Sequence, residues 1–515
     1  MTGALLRRPW APLLLAVLWL VATAWARPLA IPDEGRYVGV AWNMLGSGDW
    51  LVPRLDGLPY FHKPPLFYWI TAASLSLFGP SQWAARLAPL LGAITAMVSL
   101  YLFMRRWQGD AAARASLLAL ATQPLFFLGG QFANLDMLVA GCITAAVLAF
   151  AHAALSEEAG DRSRGALAAG YAFVALGLLA KGLIGIVLPL LVIGSWLLLR
   201  RQWRVLGRLL WAPGIVLFLA IGAPWFVAMQ QHFPGFAHYF FVVQHFARYA
   251  QGGFNNQQPF WFLAVVLAVL ALPWSAWLLS RHARRADAAQ ARPLVQLGWL
   301  WLGLVLLFFS LPSSKLIGYI LPATPPLALL VAQAFSAQAG SVRARRWWGA
   351  GAVTAVSACV IGVTVAAVLP RQSARDLGQA LRPLVAPGER VVFLHAYYFD
   401  LPFYARWQGP VEVVEDWNDP ALTSRDNWRK ELADAGVFDP AQARRLLRLR
   451  SELPTASCDV APWWAVGPRS MEERYAVLQS ARVIAVQRDL VLWRVPGFTA
   501  PGCGGRPTAN PAERS

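Results

Sequence analysis

Residues 183–199, LIGIVLPLLVIGSWLLL, run for seventeen positions without an ionisable side chain. At about 1.5 Å per residue, a helix of that length approaches the roughly 30 Å of a bilayer's hydrocarbon core. Its two flanks differ: Lys181 precedes it, whereas Arg200, Arg201, Arg204 and Arg208 follow. The segment therefore reads as a membrane span with one strongly basic side. Similar blocks occupy residues 11–26, 84–104, 112–129, 134–155, 166–181, 209–229, 260–279, 294–311, 316–336 and 347–369, which makes about eleven predicted spans. With a cytoplasmic N-terminus, each loop expected inside is basic: Arg105/Arg106/Arg114, Arg162/Arg164, the 200–208 cluster, Arg281/Arg284/Arg285/Arg292 and Arg343/Arg345/Arg346. That is the distribution the positive-inside rule requires.

The composition agrees. Of 515 residues, 57% are hydrophobic and 14% charged, against roughly a quarter charged in soluble domains, and the mean hydropathy is +0.45. A water-soluble enzyme is excluded, because it would expose much of that apolar surface. The formal charge of +18 lies mostly in arginines beside the spans, so membrane lipids are expected partners and nucleic acid is not. Arg7 and Arg8 before the run ending Ala22-Thr-Ala-Trp-Ala26 also resemble a signal peptide, although the topology works best with the segment retained. Cys142 and Cys359 lie in apolar blocks, while Cys458 and Cys503 are positioned to pair if the C-terminal part faces an oxidising compartment.

With an odd number of spans, the loops at 27–83 and 230–259 and everything beyond about residue 370 are expected outside the cytoplasm. Within the first loop, residues 33–46 and 64–78 carry apolar residues at helical spacing but are too short or too polar to span, so both read as interfacial helices. The chain divides into a transmembrane domain, 1–370, a small exported α/β domain, 371–498, and a flexible tail, 499–515. Helices are predicted at 375–385, 441–453 and 470–481, and strands at 390–395, 463–466 and twice within 482–495.

Asp33, Glu34 and Asp136 sit at the expected outer ends of apolar segments, where a carboxylate is expensive unless paired or wet. Asp33 reads either as a helix N-cap or as a catalytic group, and Asp136 as a dipole partner or a catalytic group. The chain has four lysines, and Lys63, Lys181 and Lys315 fall on the expected outer face. There they suit a phosphate, or else snorkel to lipid headgroups. His62 precedes Lys63, and His232, His238 and His245 follow in the second outer loop, with Arg248 just beyond. None of these histidines has the tight spacing of a zinc site.

The stretch PDEGRYVGVAWNMLGSGDWLVPRLDGLPYFHKPPLFYW, residues 32–69, resembles the first periplasmic loop of the aminoarabinose transferase family of lipid A modification, itself related to the protein O-mannosyltransferases. Further matches follow in order: ANLDM around Asp136, GLLAKGLIGIVLP around Lys181, APWFVAM, FAHYFFVVQHFARYA and QQPFWF in the second loop, and FFSLPSSKLIGYILPATPP around Lys315 and Tyr319. They cover about the first 335 residues.

The resemblance implies an α-helical polytopic membrane glycosyltransferase of the C type with a small C-terminal α/β periplasmic domain, set in a bacterial inner membrane. Its implied donor is a polyprenyl phosphate-linked sugar, and its acceptor lipid A or another lipid or glycan. Asp33 and Asp136 match the family's catalytic carboxylates. Lys63, Tyr60 and Tyr319 match its donor site, to which Arg36, Arg248 and Lys315 are assigned here as well. No obligatory cofactor follows, but a divalent, zinc-like metal on His62 and His245 is compatible with the family pattern. His62 stands where the family often has Glu, and fewer spans follow residue 336 than the family usually has. Transfer from such a donor leaves an anionic phosphate, which Lys63, Arg248 or Lys315 would stabilise. A lipid phosphate acceptor is already ionised, whereas a hydroxyl acceptor needs a carboxylate to take its proton. A protein or polysaccharide glycosyltransferase using another polyprenyl-phosphate sugar fits the same residues. A transporter fits less well, because the charges gather at one face rather than at mid-membrane.

Overall fold

A computed structural model of the chain describes residues 10–247, 256–284, 291–369, 373–423, 427–453 and 461–497. The chain forms two compact units: Met1–Pro53 with Phe61–Arg371, and Arg54–Tyr60 with Gln372–Ser515.

The first unit is helical. In chain order it contains α1 (Ala11–Val21), α2 (Asp33–Ser47), α3 (Leu66–Phe78), α4 (Leu87–Ala121), α5 (Leu135–Glu158), α6 (Arg164–Lys181), α7 (Ile184–Leu199), α8 (Ala212–His232), α9 (Phe262–Leu270), α10 (Arg292–Ser310), α11 (Thr324–Ser336) and α12 (Val342–Val368). Among the described residues seven helical stretches are long and apolar enough to cross a membrane: α4, α5, α6, α8, α10, α12 and Ile317–Ser336, in which a 3-10 turn runs into α11. The protein is thus multi-pass, while α1, α3 and α7 are shorter apolar helices. Tyr37 on α2 meets the rings of Phe67 and Tyr68 on α3 at 5.9 and 6.5 Å, so the two helices expected at the interface pack on each other.

Two expected spans are interrupted, each at a proline. The 112–129 segment ends its helix at Ala121, because Gln123 is extended (φ −67°, ψ 121°) ahead of Pro124, as steric conflict with a following proline ring dictates. The 260–279 segment stops at Leu270 and resumes as a 3-10 turn, Trp274–Leu279, because Pro273 has no N–H to extend the ladder. The expected spans at 84–104 and 112–129 meet at Gly109, whose φ of 85° breaks α4 into two arms; glycine takes that conformation without steric cost.

Small residues let the central helices approach. A Cβ on Gly141 of α5 would lie 2.1 Å from the carbonyl oxygen of Gly92 on α4. A Cβ on Gly185 of α7 would lie 2.2 Å from the carbonyl carbon of Gly177 on α6. Between apolar helices in lipid, such close contact supplies the association energy that the hydrophobic effect provides in water.

The second unit is a six-stranded mixed sheet, taken in chain order as β3 (Val391–Leu394), β4 (Glu412–Glu415), β5 (Leu447–Leu449), β6 (Trp463–Pro468), β7 (Arg482–Gln487) and β8 (Leu490–Val495), with spatial order β5-β4-β3-β6-β8-β7. Strands β5, β4, β3 and β6 are parallel, and β8 and β7 continue antiparallel from β6. Val392, Leu394, Val414, Trp463 and Trp493 fill its core. A two-stranded hairpin, β1 (Arg54–Leu55) and β2 (Leu58–Pro59), belongs to this unit although it is drawn from the first loop. Asp56 at its turn accepts the Val411 N–H at 2.8 Å, and Leu58 packs with Ala435 and Leu446. Burial pushes the Asp56 carboxyl well above the usual range, against the hydrogen bonds from Val411 and Tyr397.

The expected helix at 441–453 stops at Leu446 and becomes β5. Leu447-Arg448-Leu449-Arg450 alternates with period two, so the stretch pairs with β4 (Val413 opposite Leu447). The expected helix at 470–481 is two short turns separated at Tyr475 (φ −125°, ψ 104°). Cys458 and Cys503 lie outside the described residues, as does the 499–515 tail.

Gly141→Val should lower the thermal midpoint of the detergent-purified protein by forcing α4 and α5 apart, at an overpacking cost of about 1–3 kcal/mol or more. Gly303→Val, where an added Cβ meets nothing within 4 Å, should leave the midpoint unchanged.

Candidate active site

The first turn of α2 sets up the site. Pro32 is the N-cap and Asp33 the first helical residue, so Asp33 does not cap; its carboxylate instead pairs with Arg36 one turn on. Asp33 retains 37% side-chain exposure. Arg36 also lies over the Tyr37 ring, 5.0 Å from its centroid.

The neighbouring Glu34 is turned the other way and is fully buried. It pairs with Arg27, and it accepts from Arg86 through Nε at 2.9 Å and through a terminal nitrogen at 3.1 Å. It also accepts the backbone N–H of Ala30 and of Ala133, both at 2.8 Å. Arg86, itself fully buried, donates its remaining N–H groups to the carbonyls of Ala24 (2.6 Å), Arg27 (3.0 Å) and Pro28 (3.0 Å). All five guanidinium donors are thereby used. Burial alone would raise the Glu34 carboxyl, but the charges and hydrogen bonds of Arg27 and Arg86 hold it down at about 2.

Ala133 leads directly into the second carboxylate. Asn134 caps α5, accepting the Asp136 N–H at 3.0 Å and donating its amide to the Asp136 carboxylate at 3.0 Å. Asp136 pairs with Lys181, the last residue of α6, and keeps only 8% side-chain exposure. The Lys181 ammonium lies 4.4 Å from the centroid of Tyr319, and a Cβ on Gly318 would meet Asp136 Oδ2 at 2.1 Å. The 3-10 turn Ile317–Ala323 therefore closes over the carboxylate. Asp33 and Asp136 are linked through two short steps: along the chain from Asp33 to Glu34, and across the Glu34–Ala133 hydrogen bond to the turn that bears Asp136.

Lys63 is half-buried in the segment before α3, and buried His62 lies 6.0 Å, ring to ring, from Tyr239. Tyr60 is buried and belongs to the second unit. Lys315 is 3% exposed, and its ammonium donates to the carbonyls of Gln258 (2.8 Å) and Pro312 (2.5 Å). Its N–H reaches the Asn256 carbonyl at 3.0 Å, so Lys315 clasps one loop to another. Arg248 lies outside the described residues, as does the side chain of His245. Among the described residues no three His, Cys, Asp or Glu side chains gather as a metal site.

Glu34 and Lys181 carry signals in the sequence, as a carboxylate and a lysine on the expected outer face. Arg27, Arg86, Asn134 and Gly318 were not anticipated. For the two arginines the available signal was their position on a face the positive-inside rule leaves poor in basic residues.

The fold is that of solved membrane glycosyltransferases of the C type. A crystal structure of ArnT from Cupriavidus metallidurans bound to undecaprenyl phosphate superposes with a TM-score of 0.79, covering 96% of this chain and 98% of that one at 24% identity. The archaeal oligosaccharyltransferase AglB from Archaeoglobus fulgidus shares the fold more distantly, with a TM-score of 0.51 at 14% identity over 90% of this chain and 70% of that one.

In sequence the chain is similar to proteins named as aminoarabinose transferases. It is 33% identical over 322 residues to the undecaprenyl phosphate-alpha-4-amino-4-deoxy-L-arabinose arabinosyl transferase of Edwardsiella ictaluri, over 62% of this chain and 57% of that protein. It is 36% identical over 309 residues to the Erwinia tasmaniensis protein of the same name, over 59% of this chain and 55% of that protein. The chain thus spans a little over half the length of these curated relatives. Residues 62–227 match the dolichyl-phosphate-mannose-protein mannosyltransferase family.

Replacing Arg86 by Met should destabilise the purified protein by about 3–5 kcal/mol, because it removes a partner of a buried charge, and the double change Glu34→Leu/Arg86→Met should stay destabilised, because it leaves Arg27 and the Ala30 and Ala133 N–H groups without their acceptor. The depressed carboxyl also sets a pH dependence. A group at about 2 when folded, against 4.5 in its ordinary state, stabilises the fold above pH 4.5 and loses that contribution as pH falls toward 2. In the double variant, thermal midpoints should fall less steeply across that window.

Proposed function

We propose that the protein is an integral membrane glycosyltransferase that moves a sugar of the aminoarabinose type from a polyprenyl phosphate carrier to lipid A or another acceptor outside the cytoplasm. In this reading it sits in a bacterial inner membrane with its site and its α/β unit facing the periplasm. The observation that carries the proposal is the unequal setting of the two carboxylates: Asp33 is partly open on a rigidly held helix start, while Asp136 is closed beneath a turn and neutralised by Lys181. The sequence relatives named for this transfer support the choice of donor and sugar.

In the proposed reaction the bond from the anomeric carbon to the carrier's phosphate oxygen breaks, and a bond from an acceptor oxygen forms on the opposite face. Asp33 orients the acceptor and takes its proton where that acceptor is a hydroxyl. Where it is a phosphate, no proton moves. The departing phosphate gains negative charge, which Lys63, with Arg248, stabilises electrostatically. Asp136 and Lys181 are assigned a positioning role: as a neutral pair they hold the ends of α5 and α6 and the Tyr319 ring around the reacting atoms.

Asp33→Asn should lower turnover with purified polyprenyl-phosphate sugar by at least about a hundredfold while leaving the thermal midpoint unchanged, and Lys63→Ala should cost a similar factor. Full activity of Asp33→Asn would remove it from the chemistry. Deleting the gene should abolish a mass increment on lipid A equal to one aminopentose; loss of an increment on a different glycolipid would reassign the acceptor.

A further inference from the structure

At the end of the bundle opposite Asp136, three arginines in neighbouring segments have carboxylate partners. Arg105 pairs with Asp110 at 2.8 Å, Arg200 with Glu158 at 2.7 Å, and Arg208 with Glu157. At the start of α12 no arginine is paired with a described residue. The first turns of that helix hold Arg343, Arg345 and Arg346, all exposed, and no acidic residue. The sequence explains why: from residue 162 to residue 375 the only acidic side chain is Asp287. The chain therefore has almost no carboxylate with which to neutralise this patch.

Arg343 borders a groove of about 440 Å³ between α12 and the 3-10 turn at Trp274–Leu279. Trp277 and Trp347 flank it, and Pro273, Ala350 and Gly351 give it an apolar floor. An adjoining hollow of about 600 Å³ shares Arg343, Trp347 and Ala350 and adds Arg346. The groove is firmly built. Trp348 turns inward against Phe335 (4.1 Å) and Trp274 (4.6 Å), and Gln338 donates to Ser280 at 3.1 Å. Trp347, by contrast, turns outward and is 63% exposed. A tryptophan beside arginines at a span's end is the composition of a membrane's headgroup level, and basic hollows between spans bind anionic headgroups.

We infer that the groove between Trp277 and Trp347 is a binding site for an anionic glycerophospholipid. Its phosphate lies between Arg343 and Arg346, and one acyl chain runs along Pro273, Ala350 and Gly351 toward Thr354. Charge complementarity selects the headgroup, because the patch has two unpaired cations and no nearby described anion. The apolar floor selects a lipid over a soluble phosphate. The site is separate from the carboxylate cluster and does not rest on the proposed reaction.

The test uses full-length protein purified in detergent, with phosphatidylglycerol and phosphatidylcholine added separately, reading the thermal midpoint and the lipid retained in native mass spectrometry. Phosphatidylglycerol should raise the midpoint and remain bound, and phosphatidylcholine should do neither. Arg343→Gln/Arg346→Gln alters only exposed side chains and should weaken phosphatidylglycerol about thirtyfold, from roughly a factor of five per arginine. Ala350→Phe keeps both charges, fills the groove and should also remove the retained lipid. Equal responses to the two lipids, or a phosphatidylglycerol response that survives both variants, would overturn the inference. So would displacement of bound phosphatidylglycerol by an equimolar polyprenyl phosphate, which would reassign the site to the carrier lipid.

Discussion

The Glu34 carboxylate is the constraint on which the rest of the site depends. A fully buried charge is tolerated only when its lone pairs are filled, and here two arginines and two backbone N–H groups fill them. The donors come from separate pieces of chain: the end of the segment after α1, the residue before α4, and the turn before α5. One anion therefore fixes three segments at a place where neither helical propensity nor apolar burial would. The same arrangement leaves Asp33, its neighbour, pointing elsewhere and partly open.

Around that anchor, charge is distributed by use. Asp136 and Lys181 neutralise each other where α5 and α6 meet, at the favourable ends of both helix dipoles. Lys315 is turned onto carbonyls and secures the loop ahead of Ile317–Ala323. The approach of α4 and α5 at Gly92 and Gly141 brings the helix starts close enough for the polar contacts to close. Packing below and hydrogen bonding above thus support one another, and both precede any chemistry at Asp33.

Much of this was legible in the residues. Charge-free blocks of spanning length and their arginine-rich flanks located the bundle, and the DE pair at 33–34 with the lysines of the expected outer face located the cluster. Hydropathy alone ran a span through 260–279, which breaks at Pro273. What the residues did not disclose is pairing across distance. Arg86 reaches Glu34 over 52 positions and Lys181 reaches Asp136 over 45, and neither separation follows a local period. The Ala133 contact is to a backbone N–H, which any residue supplies, so no side chain announces it. In the α/β unit, β5 was hidden by arginines that suit a helix surface as well as a strand edge.

Whether the Glu34 carboxylate holds the Asp33 helix start and the Asp136 turn together is read out by amide hydrogen exchange on Glu34→Ala in detergent. Exchange at Ala30 and Ala133, whose N–H groups both donate to this carboxylate, should accelerate together by at least about tenfold, while amides in the middle of α5 keep their protection. Unchanged exchange at Ala133 in a variant that has lost the carboxylate would contradict that linkage.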